Sequence, residues 1–167
     1  MKILICGLPG SGKSTLAEPL AKLTGGVWIN ADAVRSKYEG PDITLWDFSL
    51  AGRVKQAQRM KHLADGVELA GKIAITDFVC PTEITRKAFG ADFVVWMDTI
   101  QKGKYDDTNQ MFEPPKHYDY HVSQWFDNTH TQLMHVVNRF VEVQAKQDTD
   151  DRNDRHLTEG ESGWDRK

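Results

Sequence analysis

The sequence predicts an α/β fold in which a parallel sheet is covered by helices on both faces, giving three layers. Short apolar runs, which are typical of buried strands, alternate along the chain with longer segments whose apolar residues recur at helical spacing. This alternation favours parallel strands joined by helices, with ligands bound at the carboxyl ends of the strands. The length of 167 residues suits one domain.

The predicted strands and helices follow one another in a regular order. Apolar runs predict strands at 2–6, 27–29, 72–78 and 93–97, and a short fifth strand at 121–122. Helical spacing predicts helices over about 13–23, 44–70 and 81–89, and a last helix that begins at Asp127 or Asn128 and ends near Lys146. Residues 98–116 are polar and are expected to be irregular.

The end of the chain differs in composition from the rest. After Lys146 it is almost entirely polar or charged, apart from Leu157 and Trp164. Such a composition cannot bury a core. We therefore expect residues 1–146 to form the folded domain and residues 147–167 to form a disordered tail.

Composition narrows the classes of function. A net charge of −3 argues against a broad nucleic-acid or membrane surface, without excluding a nucleic-acid partner. No stretch of the sequence is long enough to span a membrane. Cys6 and Cys80 fall in or beside predicted strands, which indicates reduced thiols. We therefore expect a soluble, cytoplasmic protein, and the sequence leaves open whether it forms a homodimer.

Residues 7–15 read G-L-P-G-S-G-K-S-T and fit the phosphate-binding pattern G-x-x-x-x-G-K-[ST]. Glycines let successive backbone N–H groups turn toward a phosphate, the lysine reaches the β- and γ-phosphates, and the serine hydroxyl binds Mg²⁺. A predicted strand precedes the motif and a predicted helix follows it, which favours nucleotide binding over a glycine-rich turn without function. We therefore predict that ATP and Mg²⁺ bind here, with Lys13 as a catalytic residue, Ser14 on the metal and the phosphates on Gly10, Ser11, Gly12, Lys13, Ser14 and Thr15.

Two acidic residues follow predicted strands. Asp32 comes just after the second strand and is expected to point toward the γ-phosphate, either as a general base or as a partner of Mg²⁺ through a water molecule. Asp77 closes the third strand and is expected to hold Mg²⁺ together with Ser14. Helix N-capping is the alternative role for each acid, because aspartate caps helices well.

Four arginines are candidates for binding an anionic acceptor, because a guanidinium can grip such a group with two hydrogen bonds. They are Arg35, Arg53, Arg59 and Arg86. A lone arginine is more often a solvated surface group. The six histidines form no convincing metal-binding pattern, and neither cysteine has the neighbours of a metal ligand or a nucleophile.

Together these motifs resemble the adenylylsulfate kinase (APS kinase) family over residues 3 to about 123. The family's G-L-S-G-[AS]-G-K-[ST]-T is similar to residues 7–15, and its D-G-D-N-V-R to N-A-D-A-V-R at 30–35. Its F-S-x-x-D-R-x-x-N-x-x-R resembles F-S-L-A-G-R-V-K-Q-A-Q-R at 48–59 in unbroken register, and its I-T-S-F-I-S-P resembles I-T-D-F-V-C-P at 75–81. Its K-G-L-Y and Y-E-x-P elements resemble residues 102–105 and 112–115.

The resemblance implies a P-loop kinase-type three-layer sandwich that transfers the ATP γ-phosphate to the 3′-hydroxyl of adenylylsulfate, a step of sulfate assimilation. Asp32 is then the catalytic base. Arg35 and Arg53 would hold the phosphosulfate. Phe48 would stack on the adenine, and Gln56 would form a hydrogen bond where the family has asparagine. The residues that the resemblance assigns to this small-molecule nucleotide acceptor are Arg35, Phe48, Arg53, Gln56 and Lys104.

The chain departs from the family pattern at several positions. Asn30 and Ala33 replace an aspartate and an asparagine, and Asp77 stands where the family has serine. The segment that carries the family's lid arginine is missing, and most of the stretch between K-G-L-Y and Y-E-x-P is deleted.

Two other interpretations stay open. Phage-type polynucleotide 5′-kinases look like G-C-P-G-S-G-K-S-T, then N-x-D-x-x-R, then an apolar strand that ends in Asp, and this chain contains Pro9, N-A-D-A-V-R at 30–35 and Asp77. The acidic net charge and the matches at 48–59 and 102–105 favour the adenylylsulfate interpretation over that one. The shortened lid suggests a third possibility, a nucleotide-binding module without kinase turnover.

Overall fold

The computed structural model describes the backbone of residues 1–160 and the side chains of residues 1–157. Its strands are β1 (Lys2–Gly7), β2 (Val27–Asn30), β3 (Ala74–Asp77), β4 (Phe93–Met97) and β5 (Tyr120–Val122). Its helices are α1 (Lys13–Thr24), α2 (Ala31–Glu39), α3 (Leu50–Leu69), α4 (Glu83–Phe89), α5 (Asp106–Met111) and α6 (Thr129–Gly160), with a 3₁₀ turn at Ile43–Leu45.

The strands form one sheet in the order β2-β3-β1-β4-β5, and all four neighbouring pairs are parallel. The central strand β1 pairs with β3 on one side and with β4 on the other. Because parallel strands end at the same edge of a sheet, β1, β2 and β3 bring Gly7, Asn30 and Asp77 to a common edge. The predicted α/β fold with a parallel sheet is confirmed.

Helices cover both faces of this sheet. α1 and α6 pack against each other on one face, and α3 and α4 pack against each other on the opposite face. Side chains along a strand alternate between the faces. Thus Ile3 and Ile5 of β1 join the core beneath α1 and α6, whereas Leu4 and Cys6 join the core beneath α3 and α4. Within residues 1–160, no helix is both long enough and apolar enough to cross a membrane.

Three local features differ from the predicted elements. The helix predicted over about 44–70 is present as α3, but its predicted start is wrong, because Ile43–Leu45 form a 3₁₀ turn and the chain is extended before α3 begins. Ser49 ends that extended stretch by capping α3, its hydroxyl accepting from the Gly52 N–H at 3.1 Å. α2 is not among the predicted helices. Residues 98–116, expected to be irregular, contain the short helix α5.

The last helix is longer than predicted. α6 continues to Gly160 instead of ending near Lys146, so the prediction of disorder is wrong for residues 147–160, while residues 161–167 lie outside the described residues. Every side chain from 147 to 157 is exposed. The polar composition therefore prevents these residues from joining a core, but it does not prevent a solvated helix.

Candidate active site

The phosphate-binding loop connects β1 to α1 and ends at the first residue of that helix. Gly10 and Gly12 have φ angles of 85° and 95°, a left-handed conformation that glycine adopts without steric cost. Lys13 and Ser14 then form the first turn of α1, where the backbone N–H groups and the helix dipole favour an anion. This geometry fits the phosphates of a nucleotide.

Lys13 carries the cation of this loop. Its Nζ donates to the Leu8 carbonyl oxygen at 2.9 Å, and within residues 1–157 no carboxylate oxygen lies within 4.0 Å of it. Burial lowers the pKa of Lys13 to about 8, and the charge of Asp77 opposes that effect. Lys13 is half-buried, and the hydrogen-bond acceptor of its ammonium among residues 1–157 is a neutral carbonyl oxygen. Such an ammonium is suited to receive a phosphate, whose negative charge would balance its own.

Ser11 and Thr15 were also predicted to bind the phosphates, but neither lines the cavity that is described below. Ser11 is 3% exposed, and its Oγ makes no hydrogen bond with residues 1–157. Its backbone carbonyl accepts from the Thr99 hydroxyl at 2.7 Å, which ties the loop to the chain after β4. Thr15 is exposed and does not line the cavity described below. Ser11 therefore belongs to the support of the loop, and Thr15 faces solvent.

Ser14 and Asp77 form the candidate Mg²⁺ site. The Ser14 hydroxyl donates to Asp77 Oδ2 at 2.6 Å, and Asn30 Nδ2 donates to Oδ1 at 3.3 Å. Burial raises the pKa of Asp77, and the hydrogen bond from Ser14 opposes it. Mg²⁺ prefers oxygen ligands and is usually held by one or two protein groups together with phosphates and water. The hydroxyl–carboxylate pair fits this ion, although residues 1–157 contain no cluster of three or more His, Cys, Asp or Glu residues suited to a metal.

Asp32 does not cap α2, although helix capping was the alternative to a catalytic role for this residue. The N-cap of α2 is Asn30, whose side-chain oxygen accepts from the Ala33 N–H at 3.0 Å. Asp32 instead lies in the first turn of α2, exposed, and lines the same cavity as Lys13 and Asp77. It is therefore available to accept a proton from a bound hydroxyl.

A cavity of about 670 Å³ extends from the phosphate-binding loop to α5. It brings together most of the predicted site residues, which come from widely separated parts of the chain. Among its lining residues are Gly10, Gly12, Lys13, Ser14, Asp32, Arg35, Phe48, Arg53, Gln56 and Asp77. The cavity is large enough for a nucleotide-sized ligand.

Two buried arginines flank Phe48 at the acceptor end of the cavity, which we define by Arg35, Phe48, Arg53 and the residues of α5. The guanidinium carbons of Arg35 and Arg53 lie 4.9 Å and 5.3 Å from the centre of the Phe48 ring. Arg35 pairs with Glu39 at 3.2 Å and donates to the Asp47 carbonyl oxygen at 2.7 Å. Phe48 is 37% exposed, so a ligand can reach it while the cations polarise its ring.

Gln56 and Arg59 help to hold the walls of the cavity. Gln56 lines the cavity, but its amide nitrogen donates to the Ala31 carbonyl oxygen at 2.8 Å and so ties α3 to α2. Arg59 donates to Gln56 Oε1 at 3.3 Å and pairs with Glu39 at 2.8 Å. Arg59, an acceptor-binding candidate from the sequence, is thus engaged in support of Arg35 and α2.

Lys104 and Arg86 are not brought into the cavity. Lys104 is exposed, and its Nζ lies 5.6 Å from the ring centre of Tyr105. Arg86 donates to the carbonyl oxygens of Pro81 and Glu113, which fastens the chain after α5 to the start of α4. The geometry therefore gives Arg86 a structural role and leaves Lys104 outside the cavity wall.

Sequence reasoning missed the contribution of the segment around α5. Tyr105, Asp107 and Thr108 all line the cavity, and the Thr108 hydroxyl accepts from Arg53 Nη2 at 2.7 Å. Paired acids in a first helical turn were the signal that could have predicted α5. Cys80 also lines the cavity, with a φ of 44° that is strained for a residue with a side chain, and the sequence gives no sign of it.

Comparisons with known proteins agree with this architecture. A family model described as an AAA domain matches residues 3–90. The shikimate kinase of Corynebacterium glutamicum is 24% identical over 124 residues, which cover 70% of this chain and 73% of that protein. The APS kinase of Mycobacterium tuberculosis, solved in complex with AMPPNP and APS, aligns with a TM-score of 0.64 and 18% identity over 82% of this chain and 96% of that one. A sugar kinase from Janibacter sp. HTCC2649 aligns with a TM-score of 0.63 and 17% identity over 82% of this chain and 94% of that one. At these identities the solved structures establish the P-loop kinase fold.

Proposed function

This chain belongs to the AAA domain family, and we propose that it is an ATP-dependent kinase of a small anionic acceptor, with adenylylsulfate as its acceptor. One observation carries the proposal. Two buried arginines lie beside a partly exposed phenylalanine in the same cavity as Lys13 and the exposed Asp32. That arrangement can hold a phosphate donor at one end and an anionic, aromatic acceptor at the other.

The donor end is suited to the phosphates of ATP. Lys13 would contact the β- and γ-phosphates, and the loop glycines would present backbone N–H groups to them. Ser14 and Asp77 would hold Mg²⁺, which neutralises charge on the phosphates when it is bound. Because Ser14 and Asp77 are already 2.6 Å apart, neither strand nor helix has to move to form this pair of ligands.

The acceptor end is suited to an anion attached to a planar base. Arg35 and Arg53 would bind the phosphosulfate, since guanidinium groups pair well with such oxygens. The exposed side of Phe48 would stack on the adenine. Asp32 would then orient the 3′-hydroxyl and accept its proton as the hydroxyl oxygen attacks the γ-phosphorus. The bond between that phosphorus and the β–γ bridging oxygen would break, and ADP would leave. The resemblance over residues 30–35 and 48–59 supports adenylylsulfate in particular.

A small hydroxylated acid is the second candidate acceptor. Shikimate kinase and a sugar kinase are among the similar proteins, and their names describe acceptors smaller than a nucleotide. Asp107 favours this candidate, because a carboxylate in the cavity wall can accept hydrogen bonds from hydroxyl groups. A polynucleotide 5′-end is less well supported, because the net charge of −3 offers little attraction for a long phosphate backbone.

A coupled assay of ADP release tests the proposal directly. The protein is incubated with ATP and Mg²⁺, either alone or with adenylylsulfate, shikimate, gluconate or a 5′-hydroxyl oligonucleotide. We expect adenylylsulfate to stimulate ADP release above the rate with ATP alone, and we expect Arg53→Ala to raise its KM strongly without weakening ATP binding. Stimulation by another acceptor alone would replace adenylylsulfate with that acceptor. ATP binding without stimulation by any acceptor would favour a non-catalytic nucleotide-binding module.

A further inference from the structure

The guanidinium of Arg53 is buried without an acidic partner in contact. Arg53 is 7% exposed, its Nε donates to the Phe48 carbonyl oxygen at 3.0 Å, and its Nη2 donates to the Thr108 hydroxyl at 2.7 Å. Both acceptors are neutral. Within residues 1–157, no carboxylate oxygen lies within 4.0 Å of the Arg53 guanidinium, whereas Arg35 pairs with Glu39. A buried cation of this kind attracts whatever negative charge reaches the cavity.

α5 brings a carboxylate near this cation without touching it. Asp107 directly precedes Thr108, is exposed to solvent, and lines the same cavity as Arg53. Burial and then the charge of Arg35 lower the pKa of Arg53, and the carboxylate of Asp107 opposes both effects. The preceding acid differs in its surroundings: Asp106 lies 3.6 Å from the ammonium of Lys102 and does not line the cavity.

We propose that Asp107 is a specificity-determining residue that limits how much negative charge the acceptor end of the cavity accepts. This inference rests on the proposed function, in which the acceptor's anionic group binds at Arg53. Asp107 partly offsets the field of Arg53, and it repels any second negative charge that an acceptor presents toward α5. An acceptor that presents a hydroxyl or amine to α5 avoids this repulsion, because the carboxylate can accept its hydrogen bond.

Sulfate binding tests the inference without requiring turnover. Sulfate is titrated in the presence of excess non-hydrolysable ATP analogue and Mg²⁺, so that the phosphate-binding loop is already filled. The sulfate binding that Arg53→Ala abolishes is assigned to the Arg53 site. We expect Asp107→Asn to lower the Kd of that site by about 3- to 10-fold at low ionic strength, an effect that salt reduces. The matched control Asp106→Asn removes the same charge from the same helix and should change the Kd by less than about 2-fold, because that residue faces Lys102. Equal effects of the two substitutions would overturn the proposal.

Turnover then separates this inference from the proposed function. With adenylylsulfate as acceptor, we expect Asp107→Asn to lower the KM by a similar factor while kcat is unchanged. Asp107→Asn could bind sulfate more tightly while the wild type phosphorylates none of the acceptors. That result would support the role of Asp107 and contradict the kinase proposal. In the opposite case, the wild type phosphorylates adenylylsulfate, and Asp107→Asn changes neither the KM for adenylylsulfate nor the Kd for sulfate. That result would support the kinase proposal and overturn the role of Asp107.

Discussion

Replacing Lys13 with methionine should stabilise the ligand-free protein, although it should abolish phosphoryl transfer. Burial lowers the pKa of Lys13 to about 8 from 10.5, which means that the fold destabilises the charged form. A change of one pKa unit corresponds to about 1.4 kcal/mol, so at pH 7 the charged lysine costs the fold roughly 1–3 kcal/mol after allowance for solvent screening. Methionine keeps most of the apolar stem and removes the charge.

The destabilisation by the charged form of Lys13 depends on pH. The folded protein releases the Lys13 proton near pH 8, whereas the unfolded chain keeps it until pH 10.5. The destabilisation is therefore fully present below pH 8 and disappears as the pH rises toward 10.5, so the wild type gains stability in that window relative to the variant. Between pH 7 and pH 9 the difference in free energy of unfolding should shrink by about 1 kcal/mol.

Thermal unfolding of the ligand-free proteins measures both effects. At pH 7 we expect the Tm of Lys13→Met to exceed that of the wild type by roughly 2–12 °C, since about 1 kcal/mol shifts the Tm of a domain of this size by about 2–4 °C. Lys22→Met is the matched control, because Lys22 lies in the same helix, is exposed, and pairs only with Glu18 there. A Tm for Lys13→Met that is equal to or below that of the wild type, with no dependence of the gap on pH, would refute the reasoning.

Three further predictions concern other parts of the molecule. Asp32→Asn should lower kcat by about 10²–10⁴-fold with little change in ATP affinity, because the general base is lost but the phosphate contacts remain; a large loss of ATP affinity in an equilibrium titration would argue against this role. Asp77→Asn should lower activity in a way that higher Mg²⁺ concentrations partly restore, and an activity that does not respond to Mg²⁺ would remove Asp77 from the metal site. Truncation after Lys146 should leave the Tm and turnover within error, because every side chain from 147 to 157 is exposed; a clear fall in either would show that the end of α6 or the residues beyond it contact the domain.

The residues of the proposed donor end could be located in the sequence because the information that identifies them is local. The phosphate-binding loop is one continuous motif, and Asp77 ends an apolar strand, so the position of each could be read without knowing the rest of the fold. Parallel pairing then brings the two together, as the 2.6 Å hydrogen bond between Ser14 and Asp77 shows. The predicted strands agree with the observed ones within a few residues for the same reason.

The acceptor end could not be predicted to the same extent because its contacts join distant parts of the chain. The bond from Arg53 to Thr108 spans 55 positions, and it depends on a short helix in a polar stretch that showed no apolar periodicity. The family resemblance pointed to Lys104, but that side chain is exposed and does not line the cavity. Arg86 was a candidate ligand by residue type alone, and its bonds to Pro81 and Glu113 give it a structural role instead.

The most direct test of the central claim is the rate of ADP release as a function of adenylylsulfate concentration, for the wild type and for Arg53→Ala. The claim is that Arg35 and Arg53 bind the acceptor's anionic group in the cavity that also holds the phosphate donor. We expect saturable stimulation of the wild type by adenylylsulfate, and in Arg53→Ala a KM for adenylylsulfate raised by about 10-fold or more with the Kd for ATP unchanged. Stimulation with the same KM in both proteins would contradict the claim, because the acceptor would then bind without Arg53.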